Sequence, residues 1–163
     1  MIRPARPEDV PLIHRMIGEL AEYEKEPESA TATEEDIHTA LFGPGAAVYA
    51  HVAEHVGEGG EVEPAGMALW FLNFSTWTGR HGIYLEDLYV RPHLRRHGHG
   101  HALLRNLARI CVERGYTRLE WSVLDWNTPA IDFYSALGSH PMDGWTVRRL
   151  DGDALRELGS RTS

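Results

Sequence analysis

The sequence predicts a mixed α/β fold: a sheet containing at least one parallel crossover, with helices packed against it. Three observations carry this expectation. Ala47–Glu54 and Ala65–Phe74 are strand-like segments joined through the turn Gly57-Glu58-Gly59-Gly60, which reads as a hairpin. From Ile83 onward, strand-like and helix-like segments alternate, the order a parallel crossover requires. At 163 residues, 42% hydrophobic and 25% charged, the chain suits one soluble domain with its own core, and no repeat, low-complexity tract or linker divides it.

Taken in order, Ile2–Ala5 reads as a short first strand. Asp9 can cap a helix in which Ile13, Met16, Ile17 and Leu20 fall at i, i+3, i+4, i+7, and Pro27 follows its expected end near Glu24. Thr33 and Asp36 resemble a capping box, with Ile37, Ala40 and Leu41 facing inward until Gly43-Pro44-Gly45 stops the helix. After the hairpin, Thr78–Gly82 is a turn and Ile83–Arg91 a strand ended by Pro92. Gly98–Arg114 reads as a helix with Leu103, Leu104, Leu107, Ile110 and Cys111 on its inner side. A strand at Thr117–Leu124, a helix at Pro129–Leu137 ending on Gly138, and a last strand at Trp145–Leu150 follow. The domain is expected to span residues 1–152, leaving 153–163 as a tail with a short helix and frayed end.

The formal charge of −8 disfavours general nucleic-acid binding and favours a cationic ligand. With Cys111 the single cysteine, no intrachain disulfide is possible, which fits a reducing cytoplasm. No signal peptide and no membrane span are expected, because no apolar run approaches the required length.

The segment Arg95-Arg96-His97-Gly98-His99-Gly100-His101 lies between a strand and a helix. Its glycines let backbone approach a ligand, and the helix start offers unpaired N–H groups and a positive dipole end suited to a pyrophosphate. A plain glycine-rich turn is the alternative. A Walker loop is absent, and Leu103 stands where the dinucleotide fingerprint needs its third glycine. His93, His97, His99 and His101 crowd here, but without Cys or paired carboxylates no metal cofactor is expected; adventitious nickel or zinc binding is more plausible.

Arg95-x-x-Gly98-x-Gly100 resembles the acetyl-CoA motif of the GNAT superfamily of N-acetyltransferases, and Asn127-x-x-Ala130-x-x-x-Tyr134-x-x-x-Gly138 resembles a second block, in matching order and spacing. The resemblance runs from Ile2 to about Leu150. Ala21–Lys25, Ser75–Arg80, Ile83–Val90 and Leu124–Asn127 resemble the diamine acetyltransferases, especially their thialysine Nε-acetyltransferase branch, related to spermidine/spermine acetyltransferases.

The resemblance implies a central, mostly antiparallel sheet with one splayed parallel strand pair and flanking helices, commonly as a homodimer. It implies acetyl-CoA as co-substrate. Backbone groups of Leu88, Tyr89 and Val90 would take the acetyl and pantetheine end, and the motif from Arg95, through Arg96, His97, Gly98, His99 and Gly100, to His101 would take the pyrophosphate. Asn127 and Ala130 would flank the cofactor, Tyr134 would be the general acid, and Tyr23, Glu24, Glu86 and Asp143 would line the amine site. Two positions depart from the family pattern: Arg96, where glycine is common, and His101, where small or lysine side chains are common.

Attack on a thioester needs a neutral amine. A lysine-like amine has a pKa of about 10.4, so neutrality at pH 7 costs roughly 4–5 kcal/mol. A carboxylate beside it can hold the cation and pass its proton onward. Glu86, on an apolar strand beside the cofactor motif, is the candidate, with solvent exposure as the bland alternative. Asp87 points the other way by strand alternation and reads as structural. Asn127 also suits a helix N-cap, and Tyr134 could instead be a core tyrosine.

The leading expectation is N-acetylation of a primary amine on a small cationic metabolite: a diamine, polyamine, thialysine or lysine-like compound. The alternatives are a protein-lysine or aminoglycoside acetyltransferase, and a noncatalytic acetyl-CoA-binding regulator.

Overall fold

A computed structural model describes residues 1–160; the expected frayed end, 161–163, lies outside the described residues. The described chain forms two compact units, the first Met1–Leu124 and the second beginning at Asp125.

The first unit opens with β1 (Ile2–Pro4) and a 3-10 turn leading into α1 (Val10–Tyr23). Asp9 does not cap α1 through its side chain. Its carboxylate instead accepts two guanidinium hydrogen bonds from Arg3, at 2.6 and 2.9 Å, and the Arg6 backbone N–H at 2.7 Å. That charge-assisted pairing holds the Asp9 carboxyl below its usual range. The expected capping box does form: Thr33 Oγ1 accepts from Asp36 N at 3.1 Å, and the Asp36 carboxylate accepts from Thr33 N at 2.8 Å, opening α2 (Glu34–Phe42).

β2 (Val48–Val56), β3 (Val62–Ser75), β4 (Arg80–Val90) and β5 (Leu119–Trp121) complete a five-stranded sheet in sequential order. The first three pairings are antiparallel; β4 and β5 are parallel, joined by α3 (His99–Arg114). This is the predicted mixed sheet with one parallel crossover.

Ile13, Met16 and Leu20 of α1 and Leu41 of α2 form a core with Ala50, Met67, Leu69 and Tyr89 of the sheet. The intervening Ala68 and Trp70 of β3 are buried too, so both faces are covered. α3 packs on β2, β3 and β4, burying Leu103, Leu104, Leu107, Ile110 and Cys111.

Two features of β4 matter for chemistry. Leu69 pairs with Asp87 and Trp70 with Leu85, so Glu86 is an extra bulged residue and side-chain alternation changes phase there. In addition, β4 pairs with β5 through Ile83–Leu85, and among the described residues its later positions have no strand neighbour on that side.

The second unit contains α4 (Thr128–Ala136) and α5 (Gly152–Ser160). Trp145–Leu150, expected to be a strand, has no regular structure. Its β-prone residues Trp145 and Val147 are exposed and pair with no strand among the described residues; propensity without a neighbouring ladder does not make a strand. Among the described residues no helix is long and apolar enough to cross a membrane.

Candidate active site

Strand alternation determines which backbone groups of β4 are free. Arg91 N donates to Ala65 O across to β3 at 2.9 Å. Val90, one residue earlier, therefore directs its N–H and C=O toward the opposite, unpaired edge, as does Leu88. Before the bulge, Ile83 N donates in the β5 direction, to Arg118 O at 3.0 Å. The bulge thus shifts the outward backbone groups from odd to even residues. Tyr89 directs its backbone to β3 and buries its ring in the α1 core. Burial and the neighbouring Glu19 push the Tyr89 phenol above its ordinary pKa.

β4 leads through a 3-10 turn, Pro92–Leu94, into the glycine loop. Gly98 adopts φ +79° at the N-cap of α3, and no side chain caps this helix start. Ala102 N makes the first intrahelical bond, to Gly98 O at 2.9 Å. The N–H groups of His99, Gly100 and His101 in the first turn lack intrahelical acceptors by helix geometry. Arg96 also has positive φ, +67°, at the position where the family commonly has glycine. Arg95 Nε donates to Val90 O at 3.0 Å, tying the loop to the open edge of β4, and its guanidinium lies 5.0 Å from the centre of the Tyr23 ring.

The loop histidines are internally engaged. His97 Nδ1 donates to Arg95 O at 3.0 Å, while His55 Nδ1 and His99 Nε2 share a hydrogen bond at 3.1 Å. Burial, then positive neighbours beginning with His55, hold His99 below the ordinary imidazole pKa. His101 Nδ1 accepts from Arg105 at 3.1 Å. Among the described residues, no group of three metal-ligand side chains could hold an ion.

The carboxylates are arranged differently from simple alternation. Glu86, on the bulge, is exposed. Asp87 faces the α1 side with its cross-strand partner Leu69, and burial, then Glu86, then Glu24, push its carboxyl up to about 6. Burial also raises Glu24, just beyond the last turn of α1. Strand alternation alone, which reads Asp87 as structural, assumes an uninterrupted ladder and does not show this electrostatic grouping. Adjacent acids in an apolar strand were the available signal, but the bulge depends on β3.

The remaining candidates belong to the second unit. Asn127 is the N-cap of α4, its carbonyl oxygen accepting from Ala130 N at 3.4 Å. Tyr134 lies on α4 beside Phe133, and its backbone carbonyl accepts from Ser139 Oγ at 2.8 Å. Asp143 is exposed in a turn with Gly144 at φ +85°. Ser75, the first residue of the Ser75–Arg80 segment, is buried; its Oγ accepts from Thr78 N at 3.3 Å and closes the β3–β4 turn.

An open strand edge followed by an uncapped glycine loop and helix start is an arrangement suited to an anionic ligand, and residues 13–138 match the acetyltransferase (GNAT) family. The chain belongs to that family and is an acetyltransferase. Among its relatives, thialysine N-epsilon-acetyltransferase of Bos taurus is 38% identical, covering 99% of this chain and 98% of that protein. An L-ornithine N5-acetyltransferase of Arabidopsis thaliana is 31% identical over 96% of this chain and 86% of its own length. The fold also matches an integron cassette protein from the mobile metagenome of V. cholerae, with TM-score 0.79 and 24% identity over 99% of this chain and 98% of that one.

Proposed function

We propose that this enzyme acetylates a primary amine on a small cationic metabolite, a diamine, polyamine, thialysine or lysine-like compound. The observation carrying this reading is the convergence of Glu24 and Asp87, with Glu86 on the adjoining bulge, in the same unit as an open β4 edge and uncapped α3 N-terminus. The thialysine and L-ornithine acetyltransferases among the relatives support an amine acceptor.

Acetyl-CoA would supply an acetyl group activated as a thioester. Its fit rests on the β4 backbone edge that no strand covers, where Val90 O is held by Arg95, and on the first-turn N–H groups of α3, an arrangement suited to an amide-containing arm and a pyrophosphate. Leu88 and Val90 would take the arm and Arg95–His101 the phosphates. Glu24, Asp87 and Tyr23 would hold the ammonium end, and Glu86 would receive the amine proton and release it to solvent. From the second unit, Tyr134 would protonate the departing sulfur, Asn127 and Ala130 would flank the cofactor, and Asp143 would assist the amine. This reading takes residues 1–152 as one catalytic domain, working in the cytoplasm as a homodimer.

Acetylation by the purified protein of thialysine, lysine, ornithine, putrescine, spermidine and an acetyl-acceptor peptide should be followed by CoA release and mass spectrometry. Turnover confined to the small amines is expected. Binding of acetyl-CoA without turnover on any amine would instead identify a regulator; preferential peptide turnover would identify a protein-lysine enzyme.

A further inference from the structure

A second concavity lies wholly in the first unit, where β1 stops short of the end of β2. β1 pairs as far as Pro4 with His51, and Ala5 N adds one bond to Ala50 O at 2.9 Å. Val48 and Tyr49 of β2 continue beyond that pairing. The resulting cavity, about 250 Å³, is lined by Phe42, Tyr49, His51, Trp70, Ile110 and Arg114, among others.

Its polar groups have one character. Trp70 Nε1 can only donate, and it donates to His51 Nδ1 at 3.1 Å. His51 Nδ1 is therefore the acceptor nitrogen and Nε2 carries the proton. Burial, then Arg109, holds this imidazole below its usual pKa, favouring that neutral tautomer. Arg114, at the last turn of α3, is exposed and has no carboxylate partner among the described residues. The nearby Arg109 is paired with Glu113 at 2.7 Å, and Arg118 with Glu120 at 2.8 Å, leaving Arg114 as the cation that lines the cavity. Among the described residues no Asp or Glu lines it, although the chain carries a formal charge of −8.

The walls suit an apolar body. Tyr49 stacks on Trp70 with centroids 4.5 Å apart and planes at 22°, next to Ile110 and Phe42. Pockets for drug-sized molecules usually occupy about 300–1,000 Å³. At about 250 Å³ this cavity suits a smaller, single-ring molecule.

We propose that the cavity beneath the short β1 edge binds a small aromatic carboxylate, its ring among Phe42, Trp70 and Ile110 and its carboxylate toward His51 Nε2–H and Arg114. This is an accessory anion site of opposite polarity to the carboxylate group of Glu24, Asp87 and Glu86.

The probe is phenylacetate, titrated into the intact protein by calorimetry and saturation-transfer NMR, with neutral phenylacetamide as control. Saturable phenylacetate binding is expected, weakened about tenfold for phenylacetamide and for Arg114→Gln, the loss expected when one charge-assisted hydrogen bond disappears. Arg114→Gln should retain wild-type acetyl transfer, verifying that its fold is intact. Acetyl-CoA should leave phenylacetate binding unchanged. No saturable binding, equal binding of the amide, unchanged affinity in Arg114→Gln, or competitive displacement by acetyl-CoA would each overturn the proposal. Failure of the amine-acetylation reading would leave these outcomes unaffected.

Discussion

Under the proposed function, Asp87 would act on stability and on amine binding in opposite directions through one carboxyl. Its folded pKa of about 6 lies above the ordinary value near 3.9, so the folded state binds more protons than the unfolded state between those values. Its stability contribution is therefore most favourable below pH 4 and declines as pH rises through 6, by up to about 3 kcal/mol. Asp87→Asn should raise Tm at pH 7.5, with the gain disappearing near pH 4, measured by calorimetric melting across that range. The same variant should raise KM for a diamine because one attraction for the ammonium is removed. An unchanged Tm difference across pH would exclude the protonation linkage. Tyr134→Phe should preserve folding and acetyl-CoA affinity but lower single-turnover transfer by roughly 10- to 10⁴-fold, the range of general-acid effects; wild-type transfer would make Tyr134 a packing residue. Glu86→Gln should lower turnover and move the pH optimum upward, toward the amine's own pKa, while acetyl-CoA affinity stays constant.

At the scale of elements, the β4–loop–α3 passage contains two left-handed residues of different chemical suitability. Gly98, at φ +79°, has open space where a Cβ would stand, so a substitution there is opposed by backbone conformation rather than collision. Arg96, at φ +67°, occupies a region that an ordinary side chain enters at a cost of roughly 1–2 kcal/mol. Gly98→Ala should therefore lower Tm and weaken acetyl-CoA binding, whereas Arg96→Gly should raise Tm because glycine relieves that strain. Paired melting curves and calorimetric titrations test both signs; equal shifts would show that the loop's left-handed geometry does not govern its stability. The length of β5 is equally consequential. Three residues pair with β4 and then stop, leaving the outward Leu88 and Val90 backbone groups without a strand partner.

For the whole molecule, the formal charge of −8 creates a field attractive to cationic amines. Long-range attraction is screened over about 8–10 Å near physiological salt. Raising salt from 20 to 300 mM, concentrations chosen for the assay, should lower kcat/KM more for spermidine than for a monoamine, with kcat nearly constant. Equal salt dependence for both would argue against electrostatic capture. Analytical ultracentrifugation should give twice the chain mass if the proposed homodimer forms.

Much of the architecture was legible because local physics and tertiary context agree. The periodic Ile13, Met16 and Leu20 became the buried face of α1, the Thr33–Asp36 box opened α2, and the glycine loop became the start of α3. These features depend on neighbours within one or two turns. The last expected strand, Trp145–Leu150, had the right residue types but no ladder to join. The acidic grouping was only partly legible: Glu86 by its place on the strand and Glu24 through the family resemblance were amine-site candidates, while alternation read Asp87 as structural. Only the register between β3 and β4 could show the rest, inserting Glu86 as a bulge and turning Asp87 toward the α1 face. Sequence by itself determined which residues could form helices, turns and the glycine loop before α3, since those preferences are local. Tertiary structure alone decided which backbone edge stayed open and which carboxylate became partly buried, because both depend on pairing and burial between distant segments.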